Sequence, residues 1–389
     1  MREGWDLEKI GEIGKVSMCK RILKKQTLPT GEIPFYKIGT FGKIPNAFIS
    51  NEVYEEYRSK YSFPKKGDIL LSASGTIGRR VIYDGEPAYF QDSNIVWIDN
   101  DEKKVTNEYL YKFYGFCNWN PSKGATISRL YNDDLRRIEI PIPPLAEQKQ
   151  IVEILDEAFA AIDQAKANIK KNIQNAKELF QSKLNDIFSQ RGDGWEEKTL
   201  GELGKVSMCK RILKKQTTPD GEIPFYKIGT FGKKANSYIS KEIYNDFRSK
   251  YSFPRKGEIL ISASGTIGRR VVYDGLPAYF QDSNIVWIDN NEQLVTNDYL
   301  YQFYGVCDWN PSKGATISRL YNSDLRKIKI SYPSITEQKI IVPKMEDLKS
   351  QILQIESNYI RKVEDLDELK KSILQKAFAG ELTNKMAEV

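Results

Sequence analysis

Apolar residues recur at three- and four-residue steps through two long segments of the chain. In residues 144–190 they run from Ile151 to Ile187 at an average step of 3.6 residues, and residues 334–389 repeat the pattern. This step places one apolar stripe along one face of a nearly straight α-helix. The sequence therefore predicts two long helices. Three prolines predict breaks near the helix starts: Pro143, Pro144 and Pro343.

Short β-branched and aromatic runs, separated by Gly, Pro and Asp turns, fill the segment before the first long helix. Such runs are typical of strands. They are PFYKI from Pro34, DILLSAS from Asp68, RRVIY from Arg79, NIVWI from Asn94 and RRIEI from Arg136. Helices are expected at residues 51–59 and 107–117. The pattern predicts a compact α+β unit.

The chain repeats itself at an offset of 190 residues. Residues 11–140 and 201–330 are identical at 103 of 130 positions, and no gap is needed. The predicted domain boundaries follow from this repeat: a globular domain at 1–143, a long helix at 144–190, a second globular domain at 191–333, and a long helix with the C-terminal tail at 334–389. We expect two near-identical globular domains.

Neither long helix can bury its apolar stripe alone, because each is polar on its other faces. The simplest arrangement that buries both stripes is an antiparallel coiled coil. The complete prediction is an α+β protein in which two long helices join two like domains with pseudo-two-fold symmetry. Two unrelated surface helices are the alternative.

Composition excludes several classes of function. The chain contains no histidine, so Ser-His-Asp and Cys-His nucleophile systems and His-ligated metal sites cannot form within it. The four cysteines have no zinc-site spacing, and we expect them to be reduced, packed thiols. No apolar run is long enough to span a bilayer, and no leader-like run follows Met1, so a cytoplasmic location is expected.

The positive charge is concentrated in the two repeats. The chain has a net charge of +7, to which residues 1–143 contribute +3, residues 191–333 contribute +6 and each long-helix segment contributes −1. Any contact with a polyanion is therefore expected to involve the globular domains, with the helices acting as a spacer.

Four groups of residues suit DNA binding, and each occurs in both repeats. A basic run can neutralise phosphates: Lys20, Arg21, Lys24 and Lys25, with Lys210, Arg211, Lys214 and Lys215. The tight turn SGTIG carries hydroxyl and guanidinium groups: Ser72, Ser74, Thr76, Arg79 and Arg80, with Ser262, Ser264, Thr266, Arg269 and Arg270. Amide and hydroxyl groups that could read adenine follow: Gln91, Ser93 and Asn94, with Gln281, Ser283 and Asn284. The last group succeeds a Gly-Ala turn: Ser128, Arg129 and Tyr131, with Ser318, Arg319 and Tyr321.

Each group also has a structural interpretation. A basic run is equally typical of a solvated surface, and the SGTIG turn could simply close a hairpin. Motifs for chemistry are missing from the sequence: no methyltransferase catalytic loop and no phosphate-binding GxxxxGK[ST] string occurs, and the carboxylates are scattered among lysines. The sequence therefore favours binding over catalysis, and no catalytic or metal-ligating residue is predicted.

Several strings resemble a known family over the whole chain. They are the GTIG turn at Gly75 and Gly265, the run ISRLYNDDLRRIEIPIPPLAEQKQIV from Ile127, and the ending ILQKAFAGEL from Ile373. With the openings at Trp5 and Trp195, they are similar to the specificity (S) subunits of type I restriction-modification systems, the HsdS family.

This resemblance implies a DNA-reading adaptor that performs no chemistry. Residues 1–143 and 191–333 would be target-recognition domains, each reading half of a split site on double-stranded DNA. The helices would set the spacing and dock modification (methyltransferase) subunits, expected to be two, for adenine methylation, and restriction (translocase and nuclease) subunits would join. S-adenosylmethionine, ATP and Mg are implied for those partners, and no cofactor is expected on this chain.

The near identity of the two domains departs from the family's usual pattern of dissimilar domains. Like readers related by a two-fold axis read the same word on opposite strands, so an interrupted palindrome is expected. The copies differ most between residues 44–57 and 234–247, so contact by that patch would make the half-sites differ slightly. Two alternatives remain: a coiled-coil DNA-binding protein or repressor of an inverted repeat, and a methyltransferase or nuclease fusion.

Overall fold

The computed structural model describes residues 2–119, 122–123, 128–189, 192–311 and 318–383. The chain forms two compact units, one of residues 1–169 with 361–389 and one of residues 170–360. Unit 1 contains the first repeat and unit 2 contains the second. Each unit also contains the beginning of one long helix and the end of the other.

Short strands and short helices alternate in the first repeat. The strands are β1 (Asp6–Lys9), β2 (Gly14–Ser17), β3 (Ile33–Tyr36), β4 (Phe48–Ile49), β5 (Ile69–Ser72), β6 (Arg80–Ile82), β7 (Tyr89–Phe90), β8 (Ile95–Asn100), β9 (Ser122–Lys123), β10 (Ser128–Arg129) and β11 (Glu139–Ile142). The helices are α1 (Ile10–Ile13), α2 (Asn51–Lys60), α3 (Asn107–Phe113) and α4 (Asn132–Arg136), before the long α5 (Leu145–Ser189). Hydroxyl caps begin two of the helices, because Ser50 accepts from the Val53 amide and Thr106 from the Tyr109 amide.

Antiparallel pairing dominates the sheets of the first repeat. The largest sheet has the order β2-β8-β5-β6, and a second has the order β4-β3-β7, in which β3 and β7 are parallel. Strands β1 and β11 pair beside the point at which the chain enters the long helix α5. The central strands β5 and β8 are buried on both faces, as their continuous apolar runs predict.

The second repeat has the same architecture. Its strands are β12 (Glu196–Thr199), β13 (Gly204–Ser207), β14 (Ile223–Tyr226), β15 (Tyr238–Ile239), β16 (Ile259–Ser262), β17 (Arg270–Val272), β18 (Tyr279–Phe280), β19 (Ile285–Asn290) and β20 (Lys329–Tyr332). Its helices are α6 (Leu200–Leu203), α7 (Lys241–Lys250), α8 (Asn297–Phe303) and α9 (Asn322–Lys327), followed by the long α10 (Ile335–Ala379). The sheet orders β13-β19-β16-β17 and β15-β14-β18 match those of the first repeat.

Both long helices form where the apolar stripe predicts them, but one predicted break is wrong. Helix α5 begins directly after Pro144, whereas Pro343 lies inside α10, eight residues after its first residue. A proline removes one backbone donor from a helix. Here the surrounding helix continues, because its face is held at Val342 and Met345, both buried in the core of unit 2.

The two long helices pack on each other in antiparallel fashion within each unit. In unit 1, Lys166 pairs with Asp367 and Lys370 lies 3.8 Å from Asp163. In unit 2, Lys177 pairs with Glu356 at 2.9 Å, and the Asn172 side chain donates to the Tyr359 hydroxyl. In each unit the partner's residue number falls as the α5 residue number rises, which confirms the predicted antiparallel pairing.

Each repeat buries the end of one long helix in its core. In unit 1, Phe378 from the end of α10 packs edge-on against Tyr109 and Phe113, with ring centroids 5.4 and 5.3 Å away. In unit 2, Phe188 from the end of α5 packs in the same way, 5.2 Å from Tyr299 and 5.5 Å from Phe303. The two phenylalanines are 190 residues apart and equivalent in the repeat.

All four cysteines are free thiols, as predicted. Burial raises the pKa of each of them to about 12, so they are protonated and inert at neutral pH. Among the described residues, no helix combines the length and apolar character needed to cross a membrane.

Candidate nucleic-acid interface

A polar cleft of about 340 Å³ opens on the second repeat. Four cationic side chains and one carboxylate line it, which makes it strongly electropositive. We call it the basic cleft, and its lining residues are Arg211, Ile212, Lys214, Thr217, Phe225, Lys227, Gln281, Asp282, Ser283, Asn284 and Arg319. It brings together members of three predicted groups: the basic run, the amide group and the group after the Gly-Ala turn.

The first repeat carries the same residue at every one of these eleven positions. The side-chain contacts are also the same. Arg21 donates from Nε to Asp92 at 2.8 Å, and Arg211 donates to Asp282 at 2.9 Å. None of the sequence differences between the repeats falls on a cleft-lining position.

The floor of the cleft is the segment QDSN, residues 91–94 and 281–284, which we call the QDSN loop. In the first repeat, Arg129 Nη2 donates to the Ser93 carbonyl at 3.2 Å, and Ser74 donates to Asn94 Oδ1 at 2.8 Å. The Ile38 amide donates to Gln91 Oε1 at 2.8 Å. The loop is thus fixed by contacts from three separate segments.

The anchoring of the loop determines which groups its amides offer to a ligand. The oxygens of Gln91 and Asn94 each accept one internal hydrogen bond, which orients the NH₂ groups as donors for a ligand and leaves each oxygen one lone pair. A donor matches O6 and N7 of guanine or N7 of adenine. The paired contact to adenine that the sequence suggests also needs the amide oxygen to accept a second hydrogen bond, through its remaining lone pair.

The SGTIG turn uses several of its polar groups internally. Ser72 is buried, and its hydroxyl accepts from the Arg79 amide at 2.9 Å. Gly78 has a φ of +80°, and a Cβ there would lie 2.2 Å from the Trp119 ring, so only glycine fits. Arg79 donates to the Phe41 carbonyl at 2.9 Å. Ser262 and Arg269 make the equivalent contacts in the second repeat.

Arg80 and Arg270 are half-buried behind the same turn. Their guanidinium groups stack on the rings of Tyr111 and Tyr301, 4.5 and 4.2 Å from the centroids. Stacking of this kind stabilises a partly desolvated cation. Arg80 therefore packs the turn against helix α3, and Arg270 packs the equivalent turn against helix α8.

The other predicted residues lie around the cleft at the surface. Lys20 and Lys210 are exposed, with their ammonium groups 4.9 Å from the rings of Tyr61 and Tyr251. The remaining exposed members are Lys24, Lys25, Lys215, Thr76, Thr266, Tyr131, Tyr321 and Ser318. Ser264 donates to Asn284 Oδ1 and supports the QDSN loop from outside the cleft. The side chain of Ser128 lies outside the described residues.

Three of the polar cleft residues were not predicted from the sequence. Lys227 directly follows strand β14, and Thr217 lies two residues beyond the basic run. Asp282 is acidic, and an acidic residue alone does not indicate DNA binding. The available signal was its position inside QDSNIVWIDN, one of the longest strings that the two repeats share without change. Within the described part of the chain, no group of three or more Cys, Asp or Glu side chains could hold a metal ion.

Comparison with known proteins gives consistent results over both repeats. A family described as type I restriction modification DNA specificity domain matches residues 2–175 and again residues 192–365. A putative type I restriction enzyme specificity subunit of Haemophilus influenzae is 39% identical over 349 residues, covering 87% of this chain and 86% of that protein. The EcoBI specificity subunit of Escherichia coli is 25% identical over 377 residues, covering 87% and 77%.

Two solved structures share the fold over nearly the whole chain. One comes from work on complex assembly and conformational transition of the type I R-M system, with a TM-score of 0.73, 18% identity and coverage of 98% of this chain and 99% of the other. The HsdS subunit from Thermoanaerobacter tengcongensis gives a TM-score of 0.60 at 18% identity, with 98% of each chain covered. They confirm the predicted α+β class with two repeated domains and long helices.

Proposed function

This chain belongs to the type I restriction-modification DNA specificity family, and on that premise we propose that it selects the DNA sequence on which such a system acts. It does so by binding and geometry and performs no chemistry of its own. The observation that supports this most directly is the basic cleft of the second repeat, whose eleven lining residues all recur in the first repeat.

Each cleft reads one half of a bipartite site. The cationic side chains neutralise phosphates, and the donors of the QDSN loop reach base edges. Because the lining residues are the same in both repeats, the two half-sites carry the same short word. We therefore propose an interrupted palindrome as the target.

The repeats differ most at residues 44–57 and 234–247. If this patch contacted bases, the two half-sites would differ. It forms β4 and α2 in the first repeat and β15 and α7 in the second, and contributes no residue to the basic cleft. We accordingly expect identical words in both half-sites.

The long helices serve as a rigid spacer and as the docking surface for partner subunits. The proposed partners are double-stranded DNA, methyltransferase subunits and restriction subunits, and the family match to type I specificity domains supports them. We propose two methyltransferase subunits, one for each repeat. S-adenosylmethionine, ATP and Mg belong to those partners, none is bound by this chain, and the assembly acts on DNA in the cytoplasm.

Family membership favours this function over the two alternatives. A stand-alone repressor of an inverted repeat would need no methyltransferase partner, and a fused methyltransferase or nuclease would act alone. A pull-down from the cell extract distinguishes the repressor, because only an adaptor brings down methyltransferase subunits.

Methyl transfer tests the function directly. The purified full-length chain, incubated with DNA and labelled S-adenosylmethionine, is expected to transfer no methyl groups. The methyltransferase subunits alone are the matched control and are expected to leave the same DNA unlabelled. The two together should methylate adenine at discrete sites. Transfer by the lone chain, or site-specific transfer without it, contradicts the proposal.

A further inference from the structure

In both units a carboxylate holds an arginine of the basic run by its Nε atom. Asp92 accepts from Arg21 at 2.8 Å, and Asp282 accepts from Arg211 at 2.9 Å. The two carboxylate side chains are 15% and 14% exposed, whereas the arginine side chains are 67% and 68% exposed. Each guanidinium is thus fixed along its inner edge and presented to solvent along its outer edge.

The loop that carries the carboxylate is held in one conformation by its own hydrogen bonds. Ser93 and Ser283 have φ values of 59° and 60°, a left-handed conformation that serine adopts only where the surrounding contacts impose it. The Asn94 amide closes the turn on the Asp92 carbonyl at 2.7 Å. The carboxylate is therefore already in place before any ligand arrives.

The free edge of the arginine has a defined chemistry. A guanidinium has five N–H donors in one plane, and the Nε donor is used. Among the described residues, the Nη groups of Arg21 and Arg211 have no hydrogen-bond partner. Two parallel N–H groups on one edge match O6 and N7 of guanine in the major groove, and they also match two phosphate oxygens.

The neighbouring carboxylate distinguishes these two ligands. A phosphate on the outer edge would be attracted by the guanidinium but repelled by the more distant charge of Asp92, so the carboxylate reduces the gain from a phosphate contact. The edge of guanine carries no net charge. Lys214 and Lys227 in the same cleft have no carboxylate partner among the described residues and suit phosphate contact.

We propose that Asp92 and Asp282 are positioning residues that direct Arg21 and Arg211 at one guanine in each half of the DNA site. This inference rests on the proposed function. The same geometry in both repeats places a guanine at the same position in both half-words.

Major-groove chemistry tests this without any mutation. The full-length chain first selects its preferred duplex from a pool of randomised duplexes. In that duplex each guanine is then replaced in turn by 7-deazaguanine, which keeps the base pair but lacks the N7 acceptor. One position in each half-site is expected to lower the affinity by about 5- to 100-fold.

Variants of the arginine and of its carboxylate test whether these side chains contact the guanine identified by 7-deazaguanine. The R21A/R211A variant should bind the normal and the 7-deazaguanine duplex at that position equally well. The D92N/D282N variant should lose at least about 5-fold in discrimination between the selected and a scrambled duplex. Its affinity for the scrambled duplex should be unchanged or higher.

A matched control removes an ion pair of the same kind outside the cleft. Glu56 pairs with Lys60 on α2, and Asp246 pairs with Lys250 on α7. The E56Q/D246N variant should keep both affinity and discrimination. Thermal melting of every variant establishes that it is folded.

Three results would overturn the inference. They are a selected half-word without guanine, an affinity unchanged by 7-deazaguanine at every position, and an equal loss of affinity for selected and scrambled duplexes in R21A/R211A. In the last case, the salt dependence of the binding affinity should show the release of about two fewer counterions than for the wild-type chain. That result would identify the two arginines as phosphate contacts. A wild-type chain that selects no word at all contradicts the proposed function itself, and the inference fails with it.

Discussion

Replacement of Gln148 by leucine is expected to lower the free energy of unfolding of the chain by about 3–5 kcal/mol. The Gln148 side chain is fully buried. Its Nε2 donates to the carbonyls of Lys104 and Pro143 at 2.7 and 2.9 Å, and its Oε1 accepts from the Thr106 amide at 2.9 Å. Leucine fills a similar volume but leaves these three backbone groups unpaired.

The loss can be measured by urea unfolding followed by tryptophan fluorescence. Gln164 provides the control, because it lies on the same helix, is exposed and bonds only to Asn168 one turn away. The Q164L variant should change the free energy of unfolding by less than about 0.5 kcal/mol. A loss below about 1 kcal/mol for Q148L contradicts the role given to this side chain.

A fragment of residues 1–190 is expected to associate into a dimer. Within unit 1 the core includes Leu374, Ala377 and Phe378 from the end of α10, and the fragment lacks these residues. It does contain Phe188, the repeat equivalent of Phe378, at the end of α5. The end of α5 from a second copy can therefore fill the site that α10 occupies in the full chain. Burial of each large apolar side chain there stabilises the dimer by about 1.5–3 kcal/mol.

Light scattering of the purified fragment gives its mass, and a methylation assay with the methyltransferase subunits shows whether the dimer reads DNA. Phe188→Asp in the fragment should abolish dimer formation, because a carboxylate cannot enter that apolar site unpaired. Leu179→Asp is the control, since Leu179 is 57% exposed on the same helix. A well-folded monomer that directs no methylation would reject the prediction.

Sequence patterns predicted the long elements well. The apolar stripe placed the first long helix at residues 144–190, and the structure has it at Leu145–Ser189. The signal is strong because it persists over many turns. Pro343 misled the prediction, because a proline in a long helix costs one hydrogen bond but the buried side chains of Val342 and Met345 hold the helix around it.

Two-residue strands such as β4 and β7 were missed, because two residues carry no periodic signal and these strands exist only through their pairing with β3. The same limit applies to the candidate site. Arg21 and Arg79 look alike in sequence, but one is exposed in the cleft and the other is bonded to the Phe41 carbonyl. Only the fold separates them.

If the equivalent cleft residues of the two repeats read DNA alike, the methylated sites carry the same word on both strands. Single-molecule sequencing can map the methylated adenines in the source genome. We expect one bipartite motif whose two halves are the same word on opposite strands, separated by a spacer of fixed length. Two unrelated half-words, or a motif without a fixed spacer, would contradict it.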